Sequence, residues 1–495
     1  MAVDLEREKR DKARTPLERL QVFLQTGPDL AINSSRENYM SKRRGKAKRV
    51  QKASNQEPEN LPVLNRDAAA IDIGSEQHCV AVPPGRDTES VRSFGAFTID
   101  LHAMAHWLKQ CAIKSVVMEA TGVYWIAPFE VLEQYGLEVL LIDARLAKNL
   151  PGRKSDVLDC QWHQQLHTFG LLRGCFLPVA EIMPLRSYLR LRDELVKAST
   201  QAVQHIQKAL FEMNVQLANV ISDITGETGL AIIEAILAGE RDGKKLAELK
   251  HRRIVASKET IAKSLEGNWR PELLFALQTA LDRYKFYQQQ LAQCDDQIAQ
   301  ALAQLPTREL KVQTEPEKKT ETSVRGQKLT PLEAELKRIA GVDLTSIDGI
   351  GEQIAQIILS ELGPDLERSF QSEKHFSSYL GLCPGTKISG GKVLKRRSRK
   401  VKHRVATALR LAARSLHSSD SALGANFRRL KARLGAPKAI TAMANKLAKL
   451  VYRLLVYGKD YFDRGSQMYE QKFRLQQIRR LQKQAKMLNL KLVPA

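Results

Sequence analysis

The stretch Ala68-Ala69-Ala70-Ile71-Asp72-Ile73-Gly74 decides the fold. A short unbroken apolar run closed by a glycine reads as a buried strand. Its one charge, Asp72, stands at the end of that run, where a carboxylate is costly unless it is paired or holds a metal. The pattern recurs in Val116-Val117-Met118-Glu119-Ala120-Thr121-Gly122, which ends on Glu119. Further along, Asp156 and Asp159 lie three apart in Lys154-Ser155-Asp156-Val157-Leu158-Asp159, a spacing that puts both on one helix face. Two magnesium or manganese ions about 4 Å apart need several hard oxygen ligands from different segments. Asp72, Glu119, Asp156 and Asp159 are candidates for that set, and the chemistry they point to is attack on phosphodiesters. The plainer alternative makes them surface or capping acids, with Asp156 capping a helix after Gly152-Arg153-Lys154. Asp143 also ends a strand-like run and is either a fifth acid or a turn cap.

Outward from these acids, residues 67–180 alternate between strand and helix signals. Ala68–Ile73, His78–Val82 and Val91–Ile99 read as three consecutive strands. A helix over Leu101–Cys111, a strand over Val116–Glu119, a helix over Tyr124–Tyr135, a strand over Glu138–Ile142 and a helix over Asp156–Phe169 follow. A meander followed by βαβ units is the RNase H-like pattern. It places Asp72 on the first strand, Glu119 at the end of the fourth and the Asp156/Asp159 pair on the last helix.

Residues 181–305 read as a helical coiled-coil region. Leu185 to Val220 follow a 4,3 alternation that includes Arg192, and Leu274 to Leu305 follow a 3,4 alternation that includes Gln288 and Asp295. The two helices pair with each other or with another subunit, and the polar entries either set the register or mark where the seam ends. Residues 306–330 are polar and breaker-rich, a linker. Residues 1–66 read as a flexible arm, with seven cations in the eleven positions from Lys42 to Lys52.

The rest of the chain, 331–495, reads as a mainly helical basic domain. Ser346-Ile347-Asp348-Gly349-Ile350-Gly351 resembles the turn of a helix-hairpin-helix element, in which Gly349 and Gly351 would let backbone N–H groups approach a phosphate. After Tyr379-Leu380-Gly381-Leu382-Cys383-Pro384 comes Ile388-Ser389-Gly390-Gly391-Lys392. Nine cations run from Lys387 to Arg404: Lys387, Lys392, Lys395, Arg396, Arg397, Arg399, Lys400, Lys402 and Arg404. No acid occurs between Glu373 and Asp420. Such a block beside a Gly-rich loop fits nucleic acid, as does the net charge of +23 over 495 residues. Ser389 is an ordinary turn residue by type. Flanking cations that stabilise charge on phosphorus make it a candidate nucleophile.

Composition narrows the remaining classes. No apolar run approaches the roughly 20 residues of a spanning helix, so no membrane partner is expected and a cytoplasmic or nucleoid setting follows by default. None of the six cysteines forms a Cys-x-x-Cys pair, which argues against a zinc site or a disulfide framework.

These motifs, taken in order, resemble the DEDD transposases of the insertion-sequence-110 family. The resemblance rests on Ile71-Asp72-Ile73-Gly74, Glu119-Ala120-Thr121-Gly122-Val123-Tyr124, Gly152–Asp159 and the C-terminal Tyr379–Pro384 and Ile388–Lys392 blocks, and spans residues 67–460. It implies a RuvC-like domain with Asp72, Glu119, Asp156 and Asp159 as metal ligands. It also implies Ser389 as the nucleophile of a transient phosphoserine link to DNA. Its partners would be donor and target DNA, a structured guide (bridge) RNA that reads both by base pairing, and further copies of the chain in a dimer or tetramer. In that assembly the acids of one subunit would complete the serine site of another. Ser377, Ser378 and Ser398 are the nearby alternatives to Ser389. Asp348 stands where the family commonly has proline, and Ser155 where it often has threonine. A junction-resolving nuclease acting through water needs only the four acids and is the competing expectation. A non-catalytic nucleic-acid-binding protein is a third.

Overall fold

A computed structural model describes residues 62–143, 156–310, 330–399, 401–458 and 465–490, with backbone alone for Asp156, Lys387 and residues 395–397. The basic arm before residue 62, most of the polar linker, Lys400 and the Gly152–Ser155 motif lie outside the described residues. The chain divides into two compact units, Met1–Phe176 and Leu177–Ala495.

In the first unit, strands β1 (Ala68–Ile73), β2 (Gln77–Ala81) and β3 (Val91–Gly95) precede helix α1 (Thr98–Gln110). Strand β4 (Ser115–Glu119), helix α2 (Ile126–Gln134), strand β5 (Glu138–Ile142) and helix α3 (Asp156–Thr168) follow. The sheet order is β3-β2-β1-β4-β5. β1 pairs antiparallel with β2 and parallel with β4, and β4 pairs parallel with β5. This mixed sheet is consistent with an RNase H-like domain. β1 is central, and Ala68 to Ile71 are fully buried, which is why the run is unbroken and carries small residues where α3 packs close.

Several boundaries differ from the sequence expectation. The third strand stops at Gly95 rather than Ile99, because Asp100 and Leu101 donate their N–H groups to Phe97 O and open α1 there. The helical spacing of the buried Leu101, Met104, Ala105 and Leu108 outweighs the β-branched Thr98 and Ile99. The second helix begins at Ile126, two residues later than the periodicity predicts.

The second unit is mostly helical. Helix α4 (Met183–Glu212) leads to three short helices, α5 (Glu227–Leu237), α6 (Gly243–Glu248) and α7 (Lys258–Ser264), and α8 (Pro271–Gln304) returns. α4 and α8 pack antiparallel within the chain. Arg192 pairs with Asp295, Gln288 Nε2 donates to Ser199 Oγ at 3.1 Å, and Cys294 Sγ donates to Tyr188 O at 3.4 Å. Arg192, Gln288 and Asp295 thus bond across these two helices. The 4,3 alternation outruns its helix, however. Asn214 (φ 58°) takes the left-handed conformation after Glu212, and Leu217 and Val220 fall in the next turn. They stay in phase because the same core, with Ile206, Leu210, Leu277 and Leu281, collects them.

Beyond the linker come α9 (Pro331–Ala340), α10 (Glu352–Leu362), α11 (Leu366–Ser369) and α12 (Glu373–Tyr379). A two-stranded ribbon, β6 (Pro384–Ser389) and β7 (Lys392–Ser398), interrupts the helices. Helices α13 (Arg404–Ser415), α14 (Ala422–Leu434), α15 (Ala436–Tyr457) and α16 (Gly465–Met487) complete the unit. Among the described residues no helix is long and apolar enough to cross a membrane.

One buried carboxylate ties α4 to this helical body. Glu361, 6% exposed, accepts from Arg186 Nε at 3.1 Å and from Arg190 Nη2 at 2.8 Å, and Arg404 Nη1 lies 3.4 Å from it. Burial pushes its pKa up, but Arg190, Arg186 and Arg404 together outweigh burial and hold it below the usual carboxylate range. Its stabilising contribution is thus present above the unfolded value near 4 and is lost as pH falls through the lower folded value. Glu361→Gln is expected to destabilise this unit by about 3 kcal/mol at neutral pH, since it removes the anion that Arg186 and Arg190 share, while Arg404 keeps Asp193. The gap from the unmodified protein in thermal denaturation should shrink as the pH drops below 4. An equal gap at every pH would refute the ion-pair account.

Candidate functional site

The sheet register places two of the acids side by side. The last paired rung between β1 and β4 is Ile71↔Met118. Asp72 and Glu119 each lie one residue further, at the same end of neighbouring parallel strands. Strand alternation puts them on the face shared with Ala70 and Val117. That face is the one α3 covers, with Cys160 packed against Ala70, Cys79 and Val117. Cys160 Sγ donates to Ala70 O at 3.2 Å and Cys79 O at 3.0 Å, and Gln164 Nε2 donates to Ala68 O at 3.2 Å. Burial first, then the neighbouring Cys79 and the Asp72 charge, drive the Cys160 thiol far above its ordinary pKa, so it stays protonated as that donor.

This docking sets the first turn of α3, with Asp156 and Asp159, at the end of the sheet where Asp72 stands. A cleft of ≈ 360 Å³ opens there, lined by Asp72, Gly74, Gln77, Ser93, Thr121 and Val157 among others. Asp72, Glu119 and Asp159 are each half-buried. Thr121 Oγ1 donates to Glu119 Oε1 at 3.1 Å, orienting that carboxylate. Sequence reasoning passed over Thr121, whose only signal was its place two residues after the strand acid. Asp143 is exposed at the end of β5. Among the described residues no three His, Cys, Asp or Glu side chains converge closely enough to hold an ion, and the Asp156 side chain is outside that set. The donors are nonetheless of the right kind: hard carboxylate oxygens on two strand ends and one helix turn, beside an open polar cleft, fit a magnesium-type ion.

Ser389 ends β6 in the second unit. What the sequence presents as a Gly-rich loop is a β-hairpin in which Gly390 (φ 54°) and Gly391 (φ 74°) form the two-residue turn. Positive φ at both central positions is the type I′ geometry that matches strand twist, and it favours glycine. The register Gly385↔Arg397, Lys387↔Lys395 and Ser389↔Lys392 puts Ser389 on one ribbon face with four cation positions. Arg396 pairs with Thr386 on the other face. A bulge follows Lys387, and Ile388, Val393 and Leu394 are exposed around the tip. Arg399 Nη2, just past β7, donates to Ser378 O at 2.6 Å and anchors the ribbon's root. Lys392 is exposed. Of the alternative serines, Ser377 is fully buried and donates to Lys374 O at 3.2 Å.

The turn before α10 holds the two candidate phosphate-binding glycines. At Gly349 (φ 87°) a Cβ would lie 2.9 Å from Ala412 O on α13, so this glycine is required for packing. Gly351, at the N-cap of α10, faces open space. Asp348 accepts from Ser419 Oγ at 2.7 Å and from Ser421 Oγ, which fixes the turn on the start of α14.

Two family models match the chain. Residues 69–215 match one described as Transposase, of the IS110 DEDD class, and residues 343–428 match one described as Transposase IS116/IS110/IS902 family. The first span contains all four acids, and the second contains Ser389 and every candidate cation. No curated protein matches this chain.

Proposed function

Since the chain belongs to the insertion-sequence-110 family of transposases, enzymes that cut and rejoin DNA, we propose that it does so by serine attack, under the direction of a guide RNA. The observation that carries the serine reading is the ribbon register, which groups Ser389 with the positions of Lys387, Lys392, Lys395 and Arg397. Cations on that face would draw in the phosphate and offset the charge that grows on phosphorus. Oγ gives up its proton and forms a bond to phosphorus as a P–O ester bond breaks, and the departing oxygen takes up a proton in its place. Rejoining reverses the exchange on a second strand end.

Asp72, Glu119, Asp156 and Asp159 are the residues that would hold magnesium or manganese, which when bound screens phosphate charge and steadies the leaving oxygen. This chain's own contribution is to set Asp72 beside Glu119 by register and to orient Glu119 through Thr121. The remaining cations, Arg396, Arg399 and Lys400, with the turn at Gly349 and Gly351, bind nucleic acid backbone, which gives affinity without reading sequence. The net charge of +23 supports two polyanionic partners, DNA and RNA, and pairing by the RNA supplies sequence choice.

The test of the guided reading is RNA dependence. Protein purified with its nucleic acid should recombine a DNA pair that matches the copurified RNA. It should lose that choice after ribonuclease treatment and regain it when the RNA is restored. Unchanged site choice after complete RNA removal would show that the protein reads DNA by itself.

A further inference from the structure

The helix α16, Gly465–Met487, lies outside both family matches and buries none of its residues. Its second half nevertheless carries one line of apolar residues, with Met487 and Leu490 exposed apart from it. Ile478, Leu481, Ala485 and Leu488 are spaced 3, 4, 3, the interval of a two-helix seam. Leu488 remains in the last turn, its N–H donating to Gln484 O at 3.2 Å. Ile478 is 40%, Leu481 50% and Leu488 71% exposed.

The placement of charge around that seam identifies what covers it. The positions that flank it are Gln477, Gln482 and Gln484, all neutral. The cations Lys472, Arg479, Arg480, Lys483 and Lys486 occupy the positions turned away from it, and Arg474 marks where it begins. Two copies of a helix this basic would repel if lysine or arginine stood at the flanks. Here they do not, and glutamines at the flanks can bond to each other across a pair. A partner helix of opposite charge would instead be met by cations beside the seam.

The helix is also held from its far side. The Arg429 guanidinium lies 3.4 Å from the Phe473 ring centroid and 5.7 Å from that of Tyr469, both on the outer positions. Anchored there to α14, α16 presents its apolar stripe away from the element that holds it.

We propose that the stripe Ile478–Leu481–Ala485–Leu488 docks against the same stripe of a second copy of this chain. The seam is short, about 15 Å along the axis, so it gives a weak, concentration-dependent contact that reinforces others in a larger assembly. The proposal does not depend on the serine or guide-RNA reading.

Sedimentation of the full-length protein over a range of concentrations tests it. Ile478→Lys with Leu481→Lys should raise the dissociation constant of self-association at least about tenfold, with the thermal unfolding curve unchanged because neither side chain is buried in the fold. Arg479→Gln with Lys483→Gln should leave that constant the same or lower it. An unchanged constant in the lysine pair overturns the proposal. So does lost nucleic-acid binding with self-association intact, which would assign the stripe to nucleic acid.

Discussion

Asp72→Asn is expected to reduce DNA strand cleavage by about a thousandfold while leaving DNA binding and thermal stability close to those of the unmodified protein. The residue is the penultimate position of an otherwise buried strand and lines the cleft at the end of the sheet. Its register neighbour is Glu119 on β4, and the first turn of α3 lies beside it. Removing one anionic donor from a set that holds a metal weakens the ion and the transition-state charge it screens, which is worth several kcal/mol. Asparagine keeps the shape and half-burial of the side chain, so the fold should not register the change. Gel assays of cleavage with saturating magnesium or manganese measure the first quantity, and filter binding the second. Cleavage within about threefold of normal would remove Asp72 from the chemistry and favour a structural role for these acids.

Ser389→Ala should abolish covalent protein–DNA adducts altogether, with binding retained. The hydroxyl ends β6 beside a type I′ turn, and alanine is compatible with the extended backbone there. The ribbon and its cation positions therefore persist in the variant. Denaturing gels of reactions quenched midway, with labelled DNA, reveal the adduct. If adducts persist, another hydroxyl attacks. If the unmodified protein gives free 5′-phosphate ends and never an adduct, water is the nucleophile, and the four acids act without the serine. The two variants thus separate failure of the metal reading from failure of the serine reading.

A good part of this arrangement was legible in the chain. Apolar runs ended by single acids announce strands with charges at their tips, because burial penalises charge wherever the run lies inside. The order of strand and helix signals in residues 67–169 predicts the mixed sheet for the same reason, since periodicity of 2 or 3.6 is a local property. The helical repeats over Leu185–Val220 and Leu274–Leu305 locate α4 and α8, but not the left-handed Asn214 that ends the first, since the core beyond the break keeps the apolar phase. The Ser389-Gly390-Gly391-Lys392 stretch carried a hairpin signal, two glycines between alternating residues, that the density of lysine and arginine obscured.

What the sequence determined by itself is which residue types are on hand: four hard anionic donors, a serine among cations, and a surplus of positive charge suited to nucleic acid. What only the tertiary structure decided is which of these stand together. The parallel register of β1 with β4 sets Asp72 beside Glu119, and cross-strand pairing puts position 389 in register with position 392, and position 387 with 395. Three arginines from two helices close on Glu361. Residue type and spacing are written along the chain, but register and burial arise from pairing between segments far apart in it, and in the strands a shift of one residue would turn a side chain to the opposite face.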